Sequence, residues 1–289
     1  MTATCERAVE RLFFAAAFVS AFVTLFIFGF MVYYGLPLFS GGRFLAILTS
    51  HWAPHQGSFG IYPMIVGTLA ISLLAMVFAF PLSMGCAILI SVVSRGRLSR
   101  ILRKVVEVMT GIPTVVYGFV GIFLLIPLVR NVFDAGSGMC VLSASLMLAV
   151  LVSPTMILFF CDSFDRVPRS YGHAVLALGG TRIQHFLHVT LPCAWPGIIV
   201  AVTMALGRAV GDTLIALMLA GNAVQAPDSV FDSARTLTSH IALVFAADNE
   251  SLEFKAIFAC GVSLYLFTTI LVLMIRLAAR ARGKVGQVG

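Results

Sequence analysis

Two opposite charges sit inside an otherwise uncharged apolar run. Arg208 and Asp212 fall within the stretch Ala194–Gly221, embedded in Gly207-Arg-Ala-Val-Gly-Asp-Thr213. Each charge at the centre of a bilayer costs about 2.5–3.5 kcal/mol on insertion scales, so such residues face the interior of a bundle and pair. Residues four apart on one helix share a face and can neutralise each other. Gly207 and Gly211 form a small-xxx-small pair on an adjoining stripe, which lets another helix come close. Two readings fit this constellation. It is a buried ion pair that fixes helix packing, or Arg208 is a bidentate cationic site for a tetrahedral oxyanion, with Asp212 masking the charge while the site is empty. Thr213 adds a hydroxyl beside it.

Other chemistry is thin. The chain has no G-x-x-x-x-G-K-[ST] phosphate loop, since its Gly283-Lys284 is followed by valine. No Ser/His/Asp set or paired carboxylates stand at membrane depth, so neither ATP hydrolysis nor covalent catalysis is expected of the chain itself. His173, His185 and His188 read as polar positions of a loop rather than a metal cluster. The six cysteines are scattered without a CxxC pair and read as small apolar packing residues.

The elements that must position these residues are membrane helices. Apolar residues make up 60% of the 289 and charged residues 11%, against about 45–50% and about 25% in soluble domains. Spans are expected near Leu12–Tyr34, Met64–Val93, Val105–Val129, Met139–Cys161, Ala194–Gly221 and Ala256–Ile275, each close to the ~20 residues a bilayer requires. Pro113 and Pro127 interrupt the third. They are either kinks absorbed by packing or marks of a discontinuous helix, in which case Thr114 and Tyr117 line a route through the bundle. Glu107 is expected to pair locally with Arg103 and Lys104. His51, Trp52 and His55 fall on the opposite side of the membrane, with Trp52 as an interface anchor.

Basic residues choose the orientation. One side collects Arg7, Arg11, Arg95, Arg97, Arg100, Arg103, Lys104, Arg166, Arg169, Arg182, Arg276, Arg280, Arg282 and Lys284. The other holds Arg43, Arg130, Arg235 and Lys255 among Asp134, Asp228, Asp232, Asp248, Glu250 and Glu253. The positive-inside rule then puts both termini in the cytoplasm. The net charge of +7 is a topology signal and a contact with anionic lipid, with no nucleic-acid partner implied.

The long connector Ser163–Gly197 falls on the basic side. It contains a helix-forming stretch, a Gly179-Gly180 stop, a second amphipathic stretch and Pro192 at the start of the next span. Its segment Ala174-Val-Leu-Ala-Leu-Gly179-Gly-Thr-Arg-Ile-Gln, followed by Val189-Thr-Leu-Pro192 and Pro196-Gly197, resembles the EAA loop of bacterial ABC importer permeases. In that family the loop forms two short helices that dock on a cytoplasmic ATPase. His173 stands where the family's usual glutamate falls. The resemblance implies an ATPase-coupling role for His173, Ala174, Leu178, Gly179, Gly180, Thr181 and Pro192.

Further segments resemble phosphate permeases of the PstC type. They are Gly60-Ile-Tyr-Pro-Met-Ile-Val-Gly-Thr68, Gly111-Ile-Pro-Thr-Val-Val-Tyr-Gly118, Val167-Pro-Arg169, and Gly207–Thr213 continuing to Leu219-Ala-Gly-Asn222, with Asp212 where glutamate is usual. The implied fold is an all-α integral membrane bundle of about six helices, of the type I (MetI-like) ABC importer permease class. Residues 1–61 would be a first span and periplasmic connector, 62–280 the permease domain with its EAA loop at about 163–192, and 281–289 a basic tail. The implied partners are a homologous permease of the PstA type, a pair of PstB-type ATPases that bind the ATP and Mg, a PstS-type phosphate-binding protein, and lipid. The implied function is phosphate import by alternating access in a bacterial inner membrane. Import of another oxyanion (molybdate, tungstate or sulfate), a non-transporting assembly or phosphate-sensing subunit, and a membrane enzyme acting on lipid phosphates are the alternatives.

Overall fold

The computed structural model describes residues 2–39, 48–54, 57–94, 96–134, 136–245 and 252–285. Arg43, His55, Arg95, Asp248 and Glu250, counted above, lie outside the described residues. The elements in order are α1 (Thr2–Phe39), a short hairpin of β1 (Trp52–Ala53) and β2 (Ser58–Phe59), α2 (Tyr62–Ile88), α3 (Arg97–Thr110), α4 (Thr114–Val120), α5 (Ile126–Phe133), α6 (Val141–Asp165), α7 (Arg169–Ala177), α8 (Arg182–His185), α9 (Leu191–Gly211), α10 (Leu214–Leu219), α11 (Leu237–Val244) and α12 (Leu252–Val285). Single π-helical turns extend α2 through Leu89–Val93, join α4 to α5 through Gly121–Leu125, and join α8 to α9 through Phe186–Thr190.

Among the described residues, six helical segments are long and apolar enough to cross a membrane: Val9–Gly35, Tyr62–Val93, Thr114–Phe133, Val141–Asp165, Arg182–Val210 and Phe254–Ile275. The helix α6 is the centre of the bundle, with 72% of its apolar window buried. Its serines bond neighbouring backbone: Ser145 donates to the Ile71 carbonyl at 3.2 Å, and Ser83 of α2 donates to the Ser153 carbonyl at 3.4 Å. The first span is apolar on every side and leans on α12 through Phe28 against Tyr265, ring centroids 4.5 Å apart. Helices that are apolar all round suit lipid contact.

Two expected spans are corrected. The third does not begin at Val105. The helix α3 ends at Thr110, Pro113 takes an extended ψ of 141° ahead of α4, and the span starts at Thr114. Leu98, Ile101, Val105 and Val108 form an exposed apolar stripe on α3 at helical spacing. With Arg97, Arg100 and Lys104 close by, this suits a helix lying along a membrane surface rather than crossing it. The π turn at Gly121–Leu125 precedes Pro127, which has no N–H to offer a regular helical ladder. The fifth span does not reach Gly221, because α9 ends at Gly211.

At the end opposite the basic connectors, the segment after α10 folds back over α2. Leu237 N–H donates to Thr68 Oγ1 at 2.9 Å. A Cβ on Gly67 would lie 2.4 Å from the Arg235 carbonyl oxygen, so the return segment rests directly on helix backbone there. His240 is fully buried, its ring 4.4 Å from that of Trp52 and its Nδ1 3.4 Å from Arg235 Nη1. Burial, reinforced by the Arg235 charge, pushes its pKa down to about 4. An unfolded imidazole keeps its ordinary value of 6.5, so between these values the unfolded chain binds the extra proton. This contribution to stability is complete above about pH 6.5 and is lost as pH falls toward 4. Thermal unfolding of the detergent-solubilised protein should drop across that window, and His240→Leu should flatten the drop; an equal drop in the variant would contradict a neutral buried imidazole.

Candidate functional site

Two regions collect the chemistry, one at each end of a single long helix. The first is the connector after α6. Pro168 takes an extended ψ of 130° and resets the chain before α7. At the other end of α7, Gly179 N–H donates to Leu176 O at 3.0 Å and Gly180 N–H to Val175 O at 2.9 Å. This is a Schellman stop with Gly179 in the left-handed conformation, φ 77°. Gly180 is equally constrained, since a Cβ there would lie 2.5 Å from Val175 Cγ1. Thr181 then caps α8 in a reciprocal box: its Oγ1 accepts from Gln184 N–H at 3.3 Å, and its own N–H donates to Gln184 Oε1 at 2.8 Å. The expected stop-and-restart at Gly179-Gly180 is therefore present.

The second amphipathic stretch is not a separate helix. The α8 segment, the π turn and α9 run without interruption from Arg182 to Gly211. In the π turn Leu191 N–H reaches back to Phe186 O, and Pro192 follows where a regular ladder would need its missing N–H. Ile183 to Leu191 contains no glycine, proline, asparagine or aspartate. That absence of any breaker was the available signal of continuity. Phe186 is buried and packs edge-on against Phe164 at 5.3 Å, and Gly172 of α7 faces the His185 ring, which a Cβ there would meet at an ordinary contact distance of 3.5 Å. Beneath α7 these residues, with Ser91, Asp165 and Arg182, line a cavity of about 240 Å³.

On the outer surface of this connector His173, Ala174, Gly179 and Thr181 are exposed, Leu178 is 89% exposed and Ile183 70%. Val175 is half-buried, turned toward Gly180 rather than outward with Ala174 and Leu178. A residue absent from the expected site braces the end of α6 that leads into the connector. Arg103 on α3 bonds Asp165 at 2.8 Å and also Asp162, while its Nε lies 3.8 Å from Glu107. The hydrogen bond to Asp165, opposed by partial burial and helped by the Asp162 charge, raises the Arg103 pKa above its usual range. Glu107 thus has its local partner, but the two main partners are 59 and 62 residues away, beyond reach of a local pattern.

The second region is the far end of α9. Gly211 ends the helix and Asp212 is extended, φ −72° and ψ 131°. Its Oδ2 accepts from Ile215 N–H at 2.8 Å, capping the next helix, and its carbonyl accepts from Thr238 Oγ1 at 2.7 Å. Arg208 and Asp212 are thus not one turn apart on a shared helix, and no ion pair joins them among the described residues. Aspartate after glycine competes for backbone N–H groups and starts a new helix, a pattern legible in Gly-Asp-Thr but overridden by the expectation of a continuous span. Thr213 takes the N-cap position of α10. Arg208 Nη1 donates to Thr155 Oγ1 at 3.3 Å, and its charge is felt by both Tyr117 and Asp212. Arg208 on α9 is thus within electrostatic reach of Tyr117 on α4 and of Asp212 between α9 and α10, with no hydrogen bond or ion pair to either among the described residues. The Tyr117 hydroxyl is already engaged, donating to the Met109 carbonyl at 3.0 Å across the α3–α4 break, and Thr114 sits half-buried on the same face of α4. Gly207 and Gly211 meet nothing within 4 Å, so the close helix approach expected at them is not made within this chain. Close packing occurs instead at Gly118 and Gly121, where α10 comes down through Met218 and Leu219.

Asn222 explains the Gly-Asn pair. It adopts φ 59° after Gly221 at 81°, its Nδ2 donates to Leu217 O at 2.6 Å, and its carbonyl accepts from Arg235 Nε and Nη2 at 3.0 and 2.7 Å. The re-entrant segment from Asp212 to Leu237 is thereby closed on itself.

Comparison with known proteins agrees with this architecture. The model of the family described as binding-protein-dependent transport system inner membrane component matches residues 79–284. The probable ABC transporter permease protein YqgH of Bacillus subtilis (strain 168) is 32% identical over 249 residues, 85% of this chain and 81% of that protein. The phosphate transport system permease protein PstC of Pasteurella multocida (strain Pm70) is 30% identical over 258 residues, 83% and 80% of the two chains. Among solved structures, a bacterial alginate ABC transporter bound to its periplasmic protein superposes with a TM-score of 0.67 at 14% identity, covering 95% of this chain and 96% of that one. The inward-facing MetNI methionine ABC transporter gives 0.56 at 22% identity, over 78% and 94%. The likeness to the solved structures concerns fold alone, whereas the family model and the sequence relatives identify the lineage: the chain belongs to the binding-protein-dependent transport system inner membrane components, as an ABC transporter permease of the PstC type.

Proposed function

We propose that the chain is one of two permease subunits of an importer for inorganic phosphate, driven by a separate ATPase and working by alternating access. Its loop Arg166–Thr190 and both termini face the cytoplasm, following the basic residues. The second permease packs over the open face at Gly207 and Gly211, and a binding protein delivers phosphate from outside. The observation that carries this reading is the unbroken helix Arg182–Gly211. It begins at the exposed loop that meets the ATPase and ends beside Arg208, roughly 40 Å away at 1.5 Å per residue. With the π turn and Pro196 held inside a continuous helix, a displacement at one end is delivered to the other, as a switch between two packed states requires.

Arg208 receives the anion in this mechanism. Among the described residues its guanidinium is held only by the Thr155 hydroxyl, so donors remain free for a passing tetrahedral oxyanion. Asp212, fixed as a helix cap, tempers the field without occupying those donors. Tyr117 and Thr114 line the approach from α4, and Thr213 from α10.

Arg208→Ala should lower labelled phosphate uptake about 10–100-fold, the loss expected when charge-assisted hydrogen bonds of about 1.5–3 kcal/mol are removed. Membrane insertion and ATPase association should persist, and normal uptake by the variant would remove Arg208 from the route. Unlabelled phosphate should compete where molybdate, tungstate and sulfate do not; competition by one of those instead would reassign the cargo.

Thr190→Pro, at a buried position in the π turn, should leave ATP hydrolysis running while transport falls at least about tenfold, since proline breaks a helix interior by about 3 kcal/mol. Transport and hydrolysis that stay coupled in this variant would count against the lever.

A further inference from the structure

The exposed connector carries an unbalanced charge. From Arg166 to Gly211 there is no aspartate or glutamate, while Arg166, Arg169 and Arg182 stand with His173, His185 and His188 between residues 166 and 190. The nearest carboxylates preceding it, Asp162 and Asp165, are bonded by Arg103 and so are committed elsewhere. Neither α7 nor α8 has an acidic residue in its first turn, and each begins with arginine. A cation in the first turn opposes the helix dipole, which favours negative charge there. No carboxylate in either first turn offsets that cost. Around them lie apolar side chains that the chain itself does not cover: Tyr171, Leu176, Leu178, Ile183 and Leu187.

We propose that this surface docks on an ATPase groove with an apolar floor and a rim of carboxylates, so that the subunit accepts an acidic-rimmed motor. The inference rests on the reading of the connector as the ATPase-coupling element and adds the chemistry of the partner. Complementary charge steers encounter and rejects wrong partners, and apolar knobs supply the buried contact. His173 is part of the same selection. A glutamate there would place a negative charge toward the acidic rim, and like charges across an interface cost several kcal/mol. An anionic membrane surface could attract the same cations, but the Schellman stop and capping box hold Leu178 and Ile183 out on a turned loop rather than along one flat helical face.

The test uses the full chain, solubilised with the ATPase subunit that copurifies with it, and measures the ATPase retained. Arg182→Glu and His173→Glu should each reduce retention about tenfold or more, and Arg182→Lys should retain it. Both glutamates sit where helix geometry tolerates them, Arg182→Glu being favoured by the dipole, so a loss reports the interface rather than local unfolding. Retention by the wild type should also fall as salt rises from about 50 mM to about 500 mM. Leu178→Asp separates the two levels of the account. If it releases the ATPase while His173→Glu and Arg182→Glu strengthen or preserve retention, docking stands and the acidic rim is overturned. If no variant, Leu178→Asp included, alters retention, the docking reading itself fails. Charge reversals that act only after reconstitution in vesicles rich in phosphatidylglycerol would assign these cations to lipid and overturn the proposal.

Discussion

A backbone that leaves helical conformation inside an apolar bundle must find a partner for every N–H and carbonyl it releases. That requirement shapes both ends of the helix Arg182–Gly211. At its start, the Schellman bonds of Gly179 and Gly180 close α7, and the Thr181–Gln184 box opens the next turn. At its end, the Asp212 carboxylate takes the Ile215 N–H and Thr238 takes the Asp212 carbonyl. Asn222 and Arg235 complete the same accounting beyond α10. Asp212, Asn222 and Arg235 serve the backbone first, and Arg208, which among the described residues bonds only the Thr155 hydroxyl, becomes the candidate for chemistry.

The same accounting makes the connector rigid. Phe186 against Phe164 holds it to the end of α6, and the Arg103 ion pairs tie that end of α6 to α3. Its apolar residues and arginines nevertheless stay outside the bundle. A folded, braced and outward-facing element joined to an unbroken helix is a lever in mechanical terms. In the proposed assembly the ATPase supplies the displacement, and the helix break at Asp212 is where the displacement meets the substrate route.

Much of this was legible in residue types. Composition and apolar length announced six spans, and Gly179-Gly180 announced a turn whose geometry the fold confirms through a positive φ at Gly179. What escaped was where helices stop within apolar sequence. Hydropathy does not distinguish α9 from α10, so Ala194–Gly221 read as one span although Gly211-Asp212 carries a capping signature. Likewise Val105–Val129 hid the surface helix α3, because valine-rich sequence dominated over Gly-Ile-Pro at 111–113. The Arg208–Asp212 pair followed from helical spacing and fell with it. The Arg103 ties to Asp162 and Asp165 join α3 to α6, so no local pattern could announce them.

The central claim is that Arg182–Gly211 moves as one body. Pulsed spin-label distances decide it in the assembled transporter, with the six native cysteines replaced and labels placed at Ile183 and Met204, both exposed on this helix, or at Ile183 and Phe123 on the π turn after α4. The 183–204 distance should stay near ~32 Å, the rise of a continuous helix, with and without trapped ATP, while the 183–123 distance changes. A 183–204 distance that shifts with nucleotide would show a hinge inside the helix and contradict the account.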